Sequence, residues 1–292
     1  MINRYLNDLL ELKSKAKFIR QEILRVCIRN GAGHIASSFS TIEILVALYY
    51  SIMKIDLGEN AKKNWPKRDR LIFSKAHGCY ALYAILADLK LIKQDDFENF
   101  YKGSFLSGCL ERREDVGLEA SCGSLGHGLP QAVGLAFSAK LKKDKFRVYV
   151  VIGDGEMQEG SNWEAIQFAV KHKLDNLKII IDNNNLQAMD FLQEVLSFTS
   201  PHRELAQKVR AFGCYVKIVN GHNLSSLTKT LHTLNLQEKT IARPQVVVAR
   251  TIKGRGLKCM ENIPKFHFRL PTNSELSESE KNSASCRQKR KG

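Results

Sequence analysis

Features of several protein classes are absent from this sequence. It contains no run of eighteen apolar residues, so no membrane-spanning helix is predicted. The amino-terminal stretch MINRYLNDLLELKSKAKFIR mixes charge into a helical pattern. It lacks the apolar core and the small-residue cleavage site of a secretory signal. We therefore expect a cytoplasmic protein with no membrane partner.

Paired cysteines and an acidic surface are also missing. The seven cysteines form no C-x-x-C pair, which argues against a zinc site or a redox pair and indicates reduced thiols. Lysine and arginine (45) outnumber aspartate and glutamate (30), for a net charge of +15. A nucleic-acid partner is one interpretation of this charge, and a lysine-rich solvated surface is the other. Because basic and aromatic residues are not interleaved, we expect no nucleic-acid partner, while an anionic small ligand stays possible.

The second half of the sequence alternates between two patterns. Predicted strands at 146–153, 177–183, 214–221 and 244–251 are apolar on both faces, and helical segments of about ten residues separate them. This alternation predicts an α/β fold with a parallel β-sheet flanked by helices on both faces. We expect one domain over residues 1–274. The polar, aperiodic residues 275–292 are predicted to be a disordered basic tail.

Two of the predicted strands end in small polar clusters. Asp154 stands between two glycines at the end of the first, and an Asn-rich run that includes Asn184 ends the second. Ligands of parallel sheets bind beyond the carboxyl ends of the strands, and the helix after Asp154 points its positive end toward that edge. Carboxylate and amide oxygens suit Mg²⁺ that keeps phosphate oxygens as further ligands. The pattern therefore predicts a magnesium–diphosphate site, although two turn-rich strand ends would look similar.

Longer motifs carry a more specific resemblance. The stretch GDGEMQEGSNWEA, followed by DNNNLQ, is similar to the thiamine-diphosphate motif. Further blocks are similar, in order, to those of the transketolase family: GAGHIASSFSTIEILVALYY, DRLIFSKAHGCYALYAIL, GLEASCGSLGHGLPQAVGLA, AFGCYVKIVNGHN and TIKGRGLKCMENIPKFH. They cover about residues 15 to 275, which corresponds to the amino-terminal domain of the family. The sequence resembles the stand-alone amino-terminal subunit of a split transketolase, with the thiamine-diphosphate-binding fold.

The resemblance implies a set of cofactor and metal ligands. The divalent cation, Mg²⁺ or alternatively Ca²⁺ or Mn²⁺, would be held by Asp154, Asn184 and the carbonyl of Leu186. Further positions correspond to residues that contact thiamine diphosphate in the family: Gly123, Leu125, Asp154, Gly155, Asn184 and His77.

The resemblance also implies catalytic residues. His34, His77 and His267 align with active-site histidines, and Glu159 with a glutamate that links the two halves of the cofactor site in the dimer. The other histidines are interpreted as ordinary surface or capping residues. Cys109 stands where the family has a substrate-contacting histidine, and a thiol does not replace an imidazole as a proton carrier.

The implied reaction is transfer of a two-carbon ketol unit from a ketose or ketose phosphate to an aldose. The family's catalytic glutamate lies on a pyrimidine-binding domain. We therefore expect activity only with a carboxyl-terminal partner subunit, in a dimer of heterodimers. Two alternatives stay open. One is a related thiamine-dependent synthase acting on a specialised sugar, which Cys109 favours, and the other is a non-catalytic protein of the same fold.

Overall fold

The structure is a computed structural model that describes residues 8–57, 61–188, 190–196, 199–267 and 269–279. The strands are β1 (Arg70–Phe73), β2 (Val148–Gly153), β3 (Leu177–Asn183), β4 (Tyr215–Asn220) and β5 (Gln245–Arg250). The α-helices are α1 (Leu9–Asn30), α2 (Ile35–Ala47), α3 (Ala61–Asn64), α4 (Cys79–Asp88), α5 (Gln94–Glu98), α6 (Gly128–Lys142), α7 (Gly160–Lys171), α8 (Leu192–Leu196), α9 (Pro201–Ala211), α10 (Leu224–Leu236) and α11 (Glu238–Ile241).

The named strands form a single parallel sheet in the order β1-β2-β3-β5-β4. Every residue of β2 and β3 is buried, because helices cover both faces of these central strands. The predicted α/β class is therefore confirmed. All five carboxyl ends lie at one edge of the sheet, where the polar residues that follow β1, β2, β3 and β5 are brought together.

Two groups of helices cover the sheet. Helices α1, α2, α4 and α10 pack on one another, while α6 packs on β1, β2 and α7, and α9 packs against β4. Helix α2 continues into a π-helical turn, Leu48–Ile52. The combined stretch Ile35–Ile52 is apolar and long enough to cross a membrane, but 89% of it is buried inside the domain, as in the core helix of a globular fold.

The start of α2 differs from the sequence-based prediction. The sequence suggests that Thr41 caps this helix, whereas the helix begins at Ile35 and Thr41 lies buried inside it. The hydroxyls of Ser38 and Thr41 donate to backbone carbonyls three or four residues earlier, at 3.1 and 2.9 Å. A hydroxyl satisfied within the helix in this way mimics a capping residue in sequence.

The expected start of the tail is also wrong. Residues 273–279 are helical, and the Ser279 hydroxyl accepts a hydrogen bond of 3.0 Å from the backbone N–H of Lys258. Residues 275–279 therefore belong to the folded domain. Residues 280–292 lie outside the described part of the chain, as does Cys286, and the other six cysteines are free thiols.

Candidate active site

A cavity of about 330 Å³ opens at the carboxyl ends of β1, β2 and β3. Seven of the residues that the sequence singles out line it: His77, Leu125, Asp154, Gly155, Asn184, Leu186 and His267. Gly123, His34 and Glu159 lie outside its lining. Residues that are distant in sequence thus meet at one edge of the sheet because the strands are parallel.

The Asp154 carboxylate is anchored from two strand ends. One oxygen accepts hydrogen bonds from Asn183 Nδ2 (2.8 Å) and from the backbone N–H of Asn185 (2.6 Å), and the other from the N–H of Gly155 (2.9 Å). Burial and the nearby Asp182 raise the pKa of Asp154 above its ordinary value. A cation bound beside this carboxylate would relieve the cost of its burial.

Asn184 and Leu186 line the same cavity as Asp154. The Asn184 side-chain oxygen accepts from the N–H of Leu186 at 3.1 Å, which fixes the turn after β3. The Leu186 carbonyl oxygen lies 3.3 Å from the side-chain nitrogen of Lys253, so it already faces a positive charge. A carboxylate, an amide oxygen and a carbonyl oxygen form the hard-oxygen set that Mg²⁺ or Ca²⁺ prefers.

Lys253 is a residue of this cavity that the sequence-based prediction missed. It is 2% exposed, and its nitrogen lies 3.0 Å from the Gln187 carbonyl oxygen and 2.6 Å from His267 Nδ1. Burial and the nearby Lys75 lower the pKa of Lys253 to about 7. A buried ammonium whose pKa is lowered in this way is suited to an anionic ligand, which would stabilise its charged form.

Lys75 was missed as well, and it forms a buried ion pair with Asp182 at the end of β3. Its nitrogen also donates to Ser40 Oγ at 2.8 Å, and Ser40 Oγ donates to Asp182 at 2.7 Å. Thr251, directly after β5, donates to the other oxygen of Asp182. Burial alone would raise the pKa of Asp182, but Lys75 and these hydrogen bonds lower it below the ordinary value. The network joins the ends of β1, β3 and β5 into one rigid edge.

The three histidines singled out from the sequence lie side by side. The ring centroids of His34 and His77 are 4.9 Å apart and stacked, and His267 stands edge-on at 5.6 and 5.5 Å from them. His34 precedes α2, His77 lies in the turn after β1, and His267 ends a short 3-10 turn. Three separate chain segments therefore supply this group.

These imidazoles are neutral at physiological pH. Burial lowers the pKa of His34 to about 4, with contributions from His77 and Lys253. Burial and Lys253 lower the pKa of His267 to about 3, and burial and Lys75 lower that of His77. A neutral imidazole has one donor and one acceptor nitrogen, which suits hydrogen bonding to hydroxyl and carbonyl oxygens.

The loop that contains Gly123 and Leu125 borders the cavity. Leu125 is 38% exposed, whereas Gly126 is buried with φ +81° and donates its N–H to Glu156 at 3.1 Å. The buried Glu156 carboxylate also accepts from Ser74 Oγ and from the N–H of Gly153, at 3.3 Å. Glu156, which the sequence-based prediction overlooked, thus ties the loop to the ends of β1 and β2.

Cys109 and Glu159 are placed around this loop. A methyl group on Gly123 would lie 3.1 Å from the Cys109 sulfur, so the exposed thiol stands directly against that glycine. Glu159 is exposed, and its Cβ would be 2.7 Å from a methyl on Gly126. Glu159 therefore lies behind the loop and is open to contact with another molecule.

The remaining histidines are outside the cavity. His172 packs on the rings of Phe137 and Phe168, and His127, His202 and His232 are wholly or partly exposed at the surface. A larger cavity of about 570 Å³, between Trp163, Leu192 and Phe212, is lined mainly by apolar side chains and shares Asp154 with the polar one. The titratable groups, and hence the chemistry, are concentrated in the smaller cavity.

The residues of the polar cavity fit a diphosphate and its metal ion. Asp154, Asn184 and Leu186, which carry the oxygens suited to a metal ion, line the same cavity as Lys253. A methyl on Gly155 would come within 3.0 Å of Gln187 Cβ, so this position leaves no room for a side chain. Oxygen ligands, an amine and the imidazoles of His77 and His267 thus border one cavity that is suited to a polar, anionic ligand.

Comparison with known proteins agrees with this geometry. Residues 13–281 match the model of a family described as transketolase, thiamine diphosphate binding domain. The chain is 39% identical to one subunit of the apulose-4-phosphate transketolase from Actinobacillus succinogenes, over 91% of this chain and 93% of that protein. It is 35% identical to a 6-deoxy-6-sulfo-D-fructose transketolase subunit of Clostridium sp., over 86% and 88% of the two chains.

A solved structure shares the fold. Transketolase from Campylobacter jejuni superposes with a TM-score of 0.80 at 26% identity, over 95% of this chain. The chain spans only 43% of that longer protein.

Proposed function

Since the chain belongs to the transketolase family, we propose that it binds thiamine diphosphate with a divalent cation in the polar cavity and acts as the diphosphate-binding subunit of a ketol-transferring enzyme. The single observation that carries the proposal is the convergence of Asp154, Asn184 and the Leu186 carbonyl with a buried lysine and three histidines. Mg²⁺ is the expected metal, with Ca²⁺ or Mn²⁺ as alternatives.

Each part of the cavity has a task in this proposal. Asp154, Asn184 and the Leu186 carbonyl hold the metal, while Lys253 and the backbone at Gly155 hold the diphosphate. Gly123 and Leu125 border the aromatic rings. When bound, thiamine diphosphate supplies the electron sink that allows a carbon–carbon bond beside a ketone to be broken and remade.

The three histidines are proposed to form hydrogen bonds with the sugar substrate. When protonated, Lys253 donates to Nδ1 of His267, which leaves the imidazole proton on Nε2. In this tautomer His267 is able to donate from Nε2 to a carbonyl or hydroxyl oxygen of the sugar. Because His34 and His77 are also neutral, each has one donor and one acceptor nitrogen for such hydrogen bonds. Lys75, through Asp182, holds the strand ends so that these groups keep their spacing.

A partner chain is part of the proposal. The relatives from Actinobacillus and Clostridium are named as subunits. We infer that this chain also pairs with a carboxyl-terminal, pyrimidine-binding subunit, in a cytoplasmic dimer of heterodimers. The exposed Leu125 and Glu159 support this inference, since both lie at the loop that would face the partner.

The donor is proposed to be a ketose with a terminal anionic group. The named substrates of the two relatives carry a phosphate and a sulfonate. Cys109, beside Gly123, favours a specialised sugar over an ordinary pentulose phosphate, because a thiol is a poor partner for a substrate hydroxyl.

Calorimetric titration with thiamine diphosphate and Mg²⁺ tests the site. We expect the chain to bind, more tightly when its partner is present, and we expect Asp154→Ala to abolish binding. Asp144→Ala, at an exposed position after α6, should bind as the wild type does. Unchanged binding in Asp154→Ala would overturn the metal assignment. A donor screen with the reconstituted pair tests the reaction, and strong ketol transfer by the single chain would contradict the partner requirement.

A further inference from the structure

The segment Thr251–Gly256, which follows β5, brings Thr251 to Asp182 and carries Lys253 into the cavity. The backbone of this segment is held by three residues that sequence motifs do not assign to the site: Arg20 of α1, Glu43 of α2 and His222, after β4. We call Arg20, Glu43 and His222 the clamp. Because the clamp bonds to the backbone on both sides of Lys253 in sequence, the clamp can set where Lys253 points.

The clamp is a continuous chain of hydrogen bonds. Arg20 Nη2 lies 2.8 Å from one oxygen of Glu43, and His222 Nδ1 lies 3.0 Å from the other. His222 Nε2 then accepts the backbone N–H of Ile252 at 2.8 Å, one residue before Lys253. Arg20 Nε also donates to the carbonyl of Arg255 at 2.9 Å. The segment is therefore hydrogen-bonded to the clamp near both of its ends, at Ile252 and at Arg255.

The protonation pattern of His222 is fixed by its two neighbours. The Ile252 N–H is a donor, so Nε2 must be free of a proton, and Nδ1 must carry the proton that it donates to Glu43. Glu43 is only 8% exposed, and burial alone would raise its pKa, but His222 and Arg20 lower it below the ordinary value. The carboxylate is thus kept ionised and holds the imidazole in the required tautomer.

The segment also packs directly on the clamp. Gly256 has φ +97°, and a methyl group there would lie 2.7 Å from Arg20 Cδ. On the far side, Gly254 donates its N–H to the Ala36 carbonyl at 3.0 Å, close to His34. The segment therefore lies directly against Arg20 at Gly256, and a change at His222 is expected to act through the lost bond to Ile252.

We propose that His222 is a positioning residue for the cofactor site: by accepting the Ile252 N–H and donating to Glu43, it holds Thr251–Gly256 so that Lys253 meets the diphosphate. This inference rests on the proposed function, because it assigns Lys253 to the diphosphate. It gives the sequence GHN at 221–223 a role in the site, although His222 does not touch the cavity.

Two substitutions separate the bonds of His222. In His222→Asn, the shorter amide reaches the position of Nδ1 and retains the bond to Glu43 but has no acceptor for Ile252. In His222→Gln, the longer amide places its oxygen near the position of Nε2 and retains the acceptor. His232→Asn, on the exposed face of α10, is the control.

Hydrogen–deuterium exchange of the peptide over residues 251–257 is measured first, without cofactor. We expect faster exchange there in His222→Asn, and exchange close to wild type in His222→Gln and in the control. Calorimetric titration of the full chain with thiamine diphosphate and Mg²⁺ follows. The affinity should fall about tenfold in His222→Asn, as for other residues that act through a ligand-holding group, and less in His222→Gln.

The outcomes are distinct. Unchanged exchange in residues 251–257 of His222→Asn, or an equal affinity loss in His222→Gln, would overturn the positioning role. A uniform rise in exchange across the domain would show general destabilisation and would also overturn it. If exchange changes as expected but the wild-type chain binds no thiamine diphosphate, the proposed function is wrong. The clamp would then still hold the segment Thr251–Gly256, but not for this cofactor.

Discussion

The side-chain nitrogen of Lys253 lies 2.6 Å from Nδ1 of His267, inside a cavity that also holds the Asp154 carboxylate. Lys253 and His267 thus lie together in the cavity that the sequence motifs assign to the diphosphate and the sugar. Burial and the nearby Lys75 lower the pKa of Lys253 to about 7. The charged form of Lys253 is therefore costly to keep in the cavity without an anion.

Lys253→Met should therefore lower the affinity for thiamine diphosphate without lowering the thermal stability of the unliganded chain. Loss of a charge-assisted hydrogen bond, worth about 1.5–3 kcal/mol, should weaken thiamine diphosphate roughly tenfold to hundredfold. The unliganded chain should melt at an equal or higher temperature, because a buried charge is removed. Titration calorimetry and thermal melting measure the two effects, with Lys258→Met at an exposed ion pair as the control. A lower melting temperature with unchanged affinity would contradict this assignment.

The histidine group should stay neutral well below physiological pH. The pKa values of about 4 for His34 and about 3 for His267 reflect burial and nearby positive charge. In an NMR titration of the unliganded chain, the ring carbons of His34 and His267 should not shift between pH 8 and about pH 5.5. A shift of these two residues within that range would show that the group is solvated.

Glu43→Gln should destabilise the chain in a pH-dependent way. The folded-state pKa of Glu43 lies below its ordinary value of 4.5, so its ionised form adds stability at neutral pH that is lost as pH falls through the folded-state pKa. We expect the variant to lose about 3 kcal/mol at pH 7, as for a broken buried ion pair. The difference from the wild type should shrink below pH 4.5 in urea titrations. Glu11→Gln, on the exposed side of α1, should show no such difference.

Among the six cysteines of the described residues, Cys109 should be the one most readily modified by a small maleimide. Cys27, Cys79, Cys122 and Cys214 are buried, whereas Cys109 is exposed beside Gly123. Thiamine diphosphate with Mg²⁺ should slow labelling of Cys109 if its rings rest near Gly123, and peptide mass spectrometry would locate the label. The half-buried Cys259, away from the cavity, is the internal control, and equal protection of both would indicate a global effect.

Gly126→Ala should destabilise the loop beside the cavity. Its φ of +81° is unfavourable for alanine, and the added methyl would lie 2.6 Å from Ser161 Oγ. We expect a loss of about 1–3 kcal/mol in urea unfolding. Gly134→Ala is the matched control, because a methyl there meets nothing within 4 Å in helix α6 and should stabilise by about 0.5–1 kcal/mol.

The sequence is sufficient to predict the parallel sheet and the edge at which most of the candidate residues lie. Strand β3 coincides with the predicted 177–183, since a doubly buried strand is a continuous apolar run with polar ends. The position of Asp154 follows from the same rule. The start of α2 is not predictable in this way, because a hydroxyl residue buried in a helix, such as Thr41, looks like a cap in sequence.

The residues that hold the site in place are harder to predict. Lys75 and Lys253 stand among 45 basic residues, and the sequence does not distinguish a buried lysine from a solvated one. Both lie shortly after a strand, which is the signal that could have identified them. The link between Glu43 and His222 joins residues that are distant in sequence and depends on the packing of α2 beside the β4 end, which local patterns do not reveal.

The residues that line the cavity come from most of the described chain, from Ser37 to His267. Contacts between residues so far apart form only after long loops close, which slows folding. In addition, β5 is inserted between β3 and β4, although β4 precedes it in the chain. A ligand of this cavity would therefore bind only after the sheet has assembled. Because a ligand that binds only the folded state draws the folding equilibrium toward it, thiamine diphosphate would raise the folded fraction of the chain.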